Sequence, residues 1–149
     1  MPHAQQIILD RVQTVLAAGA TVAGARVFVD RVDPLLSTEL PAILIREGEE
    51  GETAETAYAN GDQERTLRVT VIGVLAHSTT AAANARELGL AIEKLLVADA
   101  TLRTLCSLGL AIESSAGRID GEADRLMAQR QQTWRMTYQV APGAPDVIL

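Results

Sequence analysis

The stretch RTLRVTVIGVLAH (residues 65–77) decides the fold, because it is the clearest β-strand in the sequence. Its apolar residues alternate along the chain, and alternating side chains share one face of a sheet. The residues on that face are Leu67, Val69, Val71 and Leu75. Later in the stretch Ile72 and Val74 make the second face apolar as well. A strand that is apolar on both faces belongs in the middle of a sheet.

Helices and further strands are predicted on both sides of this strand. Apolar residues at helical spacing predict an amphipathic helix over 3–19 and a second helix from the N-cap Ser78 to about Ala98. Short runs rich in β-branched or alternating apolar residues predict four more strands. These strands lie at 25–32, 41–46, 108–115 and 125–140, the last with Trp134, Met136, Tyr138 and Val140 on one face.

This order of elements predicts an α+β fold. Strands in adjacent pairs favour a mixed, mainly antiparallel sheet of about five strands with two main helices packed on it, in the order α-β-β-β-α-β-β. At 149 residues the chain is expected to form a single domain, 1–149. We expect a turn-rich connection at 118–124 and a flexible C-terminal tail over 141–149, where Pro142 and Pro145 block a ladder.

The composition excludes several classes of function. The net charge is −6, and the twelve arginines and single lysine form no basic run, which argues against nucleic-acid specificity and against binding to an anionic membrane. One cysteine, Cys106, allows no internal disulfide. No segment has the features of a signal peptide or a membrane span, so we expect a soluble intracellular protein.

An acidic stretch, REGEEGETAETAYANGDQER (residues 46–65), separates the second and third strands. Between its two terminal arginines it contains seven acids and no basic residue: Glu47, Glu49, Glu50, Glu52, Glu55, Asp62 and Glu64. Interspersed glycines give no rigid frame for a metal site, so a flexible, solvated loop at about 47–64 is the simplest interpretation. A loop of this length in a compact domain is often functional, which leaves a partner-binding surface open.

Catalytic signatures are absent from the sequence. It has no nucleophile elbow, no phosphate-binding Walker loop, no H-E-x-x-H and no C-x-x-C motif. His77 lies at a strand-to-helix junction, where a histidine bonded to a nearby carbonyl is a simpler interpretation than a catalytic base. Cys106 lies among leucines, which favours a buried, inert thiol. We therefore predict no enzymatic activity, no catalytic residues, no cofactor and no metal site.

Several segments together resemble a known family. After the first helix come ARVFVDRVDPL (25–35) and ELPAILIREGEE (39–50); beyond the acidic stretch come ERTLRVTVIGV (64–74), an Ala-rich helix with EKLL (93–96), and WRMTYQV (134–140). This pattern resembles the phage tail terminator proteins, the minor tail protein U family of long-tailed phages and prophages. The resemblance covers roughly residues 3 to 140. It is most specific in LPAILIREGEE (40–50) and QERTLRVTVIGV (63–74).

The resemblance implies a structural role in virion assembly. Tail terminators are small α/β subunits that form a hexameric ring, cap the tail tube at its head-proximal end and offer a surface for joining the head. The implied partners are copies of the chain itself (monomeric when free, a hexamer on assembly), the tail tube protein and the head–tail connector protein. The implied location is the host cytoplasm during assembly and then the virion tail.

In that family the loop between the second and third strands rearranges at ring interfaces, and here this loop would be Glu47 to Glu64. The implied interface residues are Glu47, Glu49, Glu50, Asp62, Glu64, Arg65 and Arg68. Acidic loops repeated around a ring repel one another unless each meets an arginine patch or binds cations. We therefore also expect salt or divalent cations to promote the ring.

Other functions remain open at this point. A different phage neck or head–tail joining protein has a similar ring role. A small ligand-binding or regulatory α/β module would need a concave apolar pocket, and a metal-dependent enzyme would need a rigid carboxylate site.

Overall fold

The computed structural model of the protein describes residues 2–120 and 126–149. Within these residues the chain forms one mixed sheet of five strands with helices packed against it. The strands are β1 (Val27–Val29), β2 (Ala42–Thr56), β3 (Gln63–Ala76), β4 (Gly109–Asp120) and β5 (Met127–Val140). The helices are α1 (Ala4–Ala18), α2 (Ala81–Ala98) and α3 (Ala100–Leu105). The predicted α+β class and the predicted order of the main elements are confirmed.

The third strand lies at the centre of the sheet, as its sequence predicts. The strand order is β1-β2-β3-β5-β4, and β3 pairs in antiparallel with both β2 and β5. β4 is antiparallel to β5, whereas the short edge strand β1 runs parallel to β2, which makes the sheet mixed. β1 ends at Val29 rather than at the predicted residue 32, because Asp30 takes a left-handed conformation with φ of 53°.

One face of the sheet holds the core, and we call it the helix face. It carries the alternating residues of β3 together with Trp134, Met136, Tyr138 and Val140 of β5, all buried as predicted. The apolar stripes of α1 and α2 pack on it: Ile8, Val12, Leu16, Leu88, Ile92 and Leu96. A Cβ at Gly73 would lie 2.7 Å from Leu88 Cδ2, so this glycine lets α2 approach β3 closely.

The predicted acidic loop is mostly strand. β2 continues to Thr56 and β3 begins at Gln63, so only residues 57–62 connect the two strands. The expectation of a flexible loop over 47–64 is wrong for most of its length, because backbone pairing in a ladder does not depend on apolar side chains.

Other boundaries also differ from the expectations. α2 begins after Thr80 rather than after Ser78. Of the predicted connection at 118–124, residues 118–120 belong to β4, and 121–125 lie outside the described residues. The C-terminal segment 141–149, expected to be a flexible tail, folds back on the domain. The Leu149 N–H donates to the Gln139 carbonyl at 2.9 Å, and Ile148 packs against the core.

None of the helices in residues 2–120 and 126–149 has both the length and the apolar character that a membrane crossing requires.

Candidate subunit interface

The β2–β3 hairpin holds all seven predicted interface residues, and a bulge divides it. Glu47 pairs with Val69, but the next paired residues are Glu52 and Leu67. β2 therefore has four residues, 48–51, where β3 has only Arg68. Gly51 takes a φ of 63° in this bulge, a conformation that costs glycine little.

The bulge changes which face the following side chains occupy. It inserts three extra residues into β2, and an odd number reverses the alternation of faces. Glu52 thus lies opposite the buried Leu67 on the helix face, where unbroken alternation would have turned it away. The bulge converts one of the seven acids into an interior residue.

Glu52 connects four elements of the subunit. Its side chain is only 9% exposed and accepts hydrogen bonds from Gln5 of α1 at 2.9 Å and from the hydroxyl of Tyr138 in β5. Arg65 of β3 forms an ion pair with it at 3.4 Å. Burial raises the pKa of the Tyr138 phenol, and the hydrogen bond to Glu52 and its negative charge raise it further, while Arg65 opposes them. Tyr138 is therefore a permanent neutral donor to this carboxylate.

Arg65, predicted to meet a neighbouring subunit, is occupied within its own chain. Besides the pair with Glu52, its Nη2 donates to Gln63 Oε1 at 3.0 Å. Its Nε is buried and has no hydrogen-bond partner among the described residues. Arg65 thus balances the charge of Glu52 in the subunit.

Arg68 lies on the opposite side of the hairpin, which we call the second face of the sheet. Its Nε is 3.5 Å from Glu50 Oε2, and its Nη2 donates to Glu113 Oε1 at 3.4 Å. The contact with Glu50 lacks hydrogen-bond geometry, so Nε stays unsatisfied within the described part of the chain. Two long ion pairs to exposed or half-exposed acids contribute little to stability, about 0–1 kcal/mol each. They can exchange for a partner's carboxylates.

The other acids of the hairpin differ in how strongly the subunit holds them. Glu47, Glu49 and Glu50 are exposed around the bulge. Asp62 accepts hydrogen bonds from Asn60 at 2.9 Å and Gln139 at 3.0 Å, which fix the turn.

Two acids near the tip face each other. Glu55 and Glu64 are directly opposite in the β2–β3 register, and neither forms an ion pair among the described residues. Like charges at directly opposite positions of a strand pair are destabilising. This part of the hairpin therefore carries negative charge that the described residues leave unbalanced.

The residues considered for chemistry lie elsewhere and apart from one another. The backbone N–H of the exposed His77 donates to the Leu126 carbonyl at 3.0 Å. Cys106 is buried, and burial raises the pKa of its thiol to about 12. Within residues 2–120 and 126–149 no group of three or more His, Cys, Asp or Glu side chains is arranged to hold a metal ion.

Sequence reasoning missed the interior role of Glu52. The available signal was on β5, where the alternation of Trp134, Met136 and Tyr138 predicts a buried tyrosine, and a buried hydroxyl needs a partner. Nothing in the sequence selects Glu52 over its six acidic neighbours, because the choice depends on the bulge.

Comparison with solved structures finds a protein of the same fold. One chain in the virion of a native gene transfer agent particle superposes with a TM-score of 0.50 and 21% sequence identity. The likeness covers 93% of this chain and 92% of that chain, so the two share their fold over nearly their whole lengths. No protein family and no curated protein matches the sequence.

Proposed function

We propose that the chain is a structural virion protein, and more specifically a tail terminator subunit. In this role copies of the chain form a ring, expected to be a hexamer, that caps the tail tube and joins it to the head. The observation that carries the proposal is the fold shared with a gene transfer agent virion chain over 93% of the sequence. The subunit would assemble in the host cytoplasm and end in the virion tail, in contact with the tube protein and the head–tail connector protein.

The hairpin gives this proposal a physical basis. The two most specific stretches of the resemblance, 40–50 and 63–74, fall mainly on β2 and β3, which pair with each other. A closed ring of identical subunits requires two different surfaces on each subunit. An ordered hairpin with exposed acids and a weakly paired Arg68 is suited to be one of them. We propose that its interface residues are Glu47, Glu49, Glu50, Asp62, Glu64, Arg65 and Arg68.

The length of tails tests the proposed role. In a strain whose particles contain this chain, deletion of its gene should give tail tubes much longer than normal and heads without tails, because nothing stops tube growth. Electron microscopy of the released particles measures this, and the wild-type gene supplied in trans is the control. Tails of normal length that fail to join heads would assign the chain to the neck instead. Normal particles would refute both roles.

Charge reversal at Arg68 tests the proposed interface. Arg68→Glu places a third carboxylate beside Glu50 and Glu113, and should lower stability by only about 1 kcal/mol because both existing pairs are long. We expect a folded monomer that no longer complements the gene deletion. Arg103→Glu, on the exposed surface of α3, makes the same charge change and should complement normally.

A further inference from the structure

A cavity lined by arginines lies at the end of the sheet opposite the hairpin turn. It has a volume of about 410 Å³ between the first turns of α2 and the adjoining ends of β4 and β5. Arg86, Arg118 and Arg130 line it, and Ile119 beside them is 58% exposed. We call it the arginine groove. Arg86 and Arg130 form no ion pair among the described residues, and their charge is opposite to that of the hairpin acids.

The hairpin tip has the matching features. Glu55 and Glu64 are an unbalanced pair of like charges, and Tyr58 in the turn is 36% exposed. An acidic pair with an adjacent aromatic ring complements a cationic groove with an adjacent isoleucine, because ion pairs and apolar burial then form together.

These two surfaces cannot meet within one subunit. Glu64 lies at the start of β3, whereas Arg130 pairs with Gly73 nine residues further along the same strand. At about 3.3 Å per residue, the two surfaces are about 30 Å apart. Only another molecule can bring an acidic hairpin to the groove, and a second copy of this chain carries one.

We propose that the hairpin tip of one subunit, with Glu55, Tyr58 and Glu64, docks in the arginine groove of the next. The contact joins two different surfaces, so it repeats head to tail and closes when the rotation per subunit completes a circle. This inference rests on the proposed ring and names the surface that the hairpin meets. Arg86 forms no ion pair among the described residues, so its guanidinium can pair with the acids of another subunit.

Two complementary variants test the contact. The first, Glu55→Lys with Glu64→Lys, has a reversed hairpin and an intact groove. The second, Arg86→Glu with Arg130→Glu, has an intact hairpin and a reversed groove. Each variant alone should self-associate at least tenfold more weakly than the wild-type chain. A mixture should regain association at low salt, because the second variant's hairpin fits the first variant's groove and the two reversed surfaces are also opposite in charge.

Sedimentation equilibrium up to about 1 mM protein measures these masses. Asp10→Lys and Lys94→Glu make the same kinds of charge change on exposed surface away from both sites, and should associate like the wild-type chain. Circular dichroism confirms folding. If the Arg130 substitution unfolds the chain, the single variant Arg86→Glu still tests the contact, because Arg86 is on the exposed surface of α2.

Ionic conditions distinguish this contact from the alternative expected from the sequence, a ring that salt or divalent cations promote. Direct pairing of glutamates with arginines weakens as salt screens it, whereas bridging strengthens with magnesium. Association that falls with salt and is restored only in the mixture supports the proposal. Wild-type chains that stay monomeric to 1 mM, variants that associate normally, or association that requires magnesium would overturn it.

The association measurements test the contact, and the tail-length experiment tests the proposed function, so the two can fail separately. If the contact fails and the gene deletion still gives overlong tails, the groove assignment is wrong and the terminator role stands. If the mixed variants associate and the deletion leaves particles normal, the contact is real and the proposed function is wrong.

Discussion

Removal of the Glu52 carboxylate should destabilise the subunit more than removal of any other acid in the hairpin. Glu52→Ala leaves three donors without their acceptor: the amide of Gln5, the guanidinium of Arg65 and the hydroxyl of Tyr138. Gln5 and Arg65 are partly exposed and can turn toward water, whereas Tyr138 is fully buried. An unsatisfied buried donor costs about 1–3 kcal/mol.

The expected loss follows from these three groups. The tyrosine contributes about 2 kcal/mol and the other two donors together about 1 kcal/mol, so Glu52→Ala should lower the free energy of unfolding by about 3 kcal/mol. For a chain of this length that corresponds to a fall of about 6–12 °C in Tm. Glu52→Gln should cost about 2 kcal/mol, because its amide keeps one acceptor oxygen but adds donors among donors.

Glu55→Ala is the matched control. It removes an acid from the same strand, but this acid is exposed and faces Glu64, so the change should lie within about 0.5 kcal/mol of zero or be slightly stabilising. Urea unfolding followed by the fluorescence of the buried Trp134 reports all three variants. If Glu52→Ala and Glu55→Ala differ by less than about 1 kcal/mol, the interior role of Glu52 is refuted.

Three further predictions concern the core, the thiol and an ion pair. Gly73→Ala should cost about 1–3 kcal/mol in urea unfolding, because the new methyl group would lie 2.7 Å from a leucine of α2, whereas Gly109→Ala makes only ordinary 3.6 Å contacts and should cost under about 1 kcal/mol. Cys106 should resist iodoacetamide at pH 8, since a pKa of about 12 leaves roughly one thiol in 10⁴ ionised, and rapid alkylation of the native protein would contradict its burial. The pKa of Asp99 is lowered by its hydrogen bond to Arg11, so the folded state binds fewer protons than the unfolded state just below the usual value of 3.8. Stability from this pair is therefore present above pH 3.8 and lost as the pH falls further, and the stability difference between the wild-type chain and Asp99→Asn, measured by urea unfolding, should shrink over that range.

The sequence predicts the fold well where burial and periodicity coincide. The run from Leu67 to Leu75 identifies the central strand, and the alternation from Trp134 to Val140 identifies its buried neighbour. Both predictions succeed because each side chain reports the face that it occupies. The boundaries are less well predicted, since the polar ends of β2 and β4 are stabilised by backbone pairing with a neighbouring strand. A ladder bond to a distant strand leaves no local signal in the sequence.

The charge pattern of the hairpin does not indicate which of its acids is buried in the subunit and which are exposed to a partner. If β2 continued from Ile45 as a regular strand, alternation would place Glu47 and Glu49 on the helix face and would turn Glu52 away from it. Glu47 precedes the bulge and keeps its place opposite Val69, but the three extra residues reverse the alternation after it, and Glu52 becomes the carboxylate that joins α1, β3 and β5. The same reversal leaves Glu55 on the second face opposite Glu64. One insertion thus gives an interior acid that orders the hairpin and an acidic pair, the exposed Glu55 and the half-buried Glu64, that the ordered hairpin can present to a partner. Deleting three residues from 48–51 would leave one residue between Glu47 and Glu52, as in the partner strand, so Glu52 should stay on the helix face opposite Leu67 and Glu55 opposite Glu64.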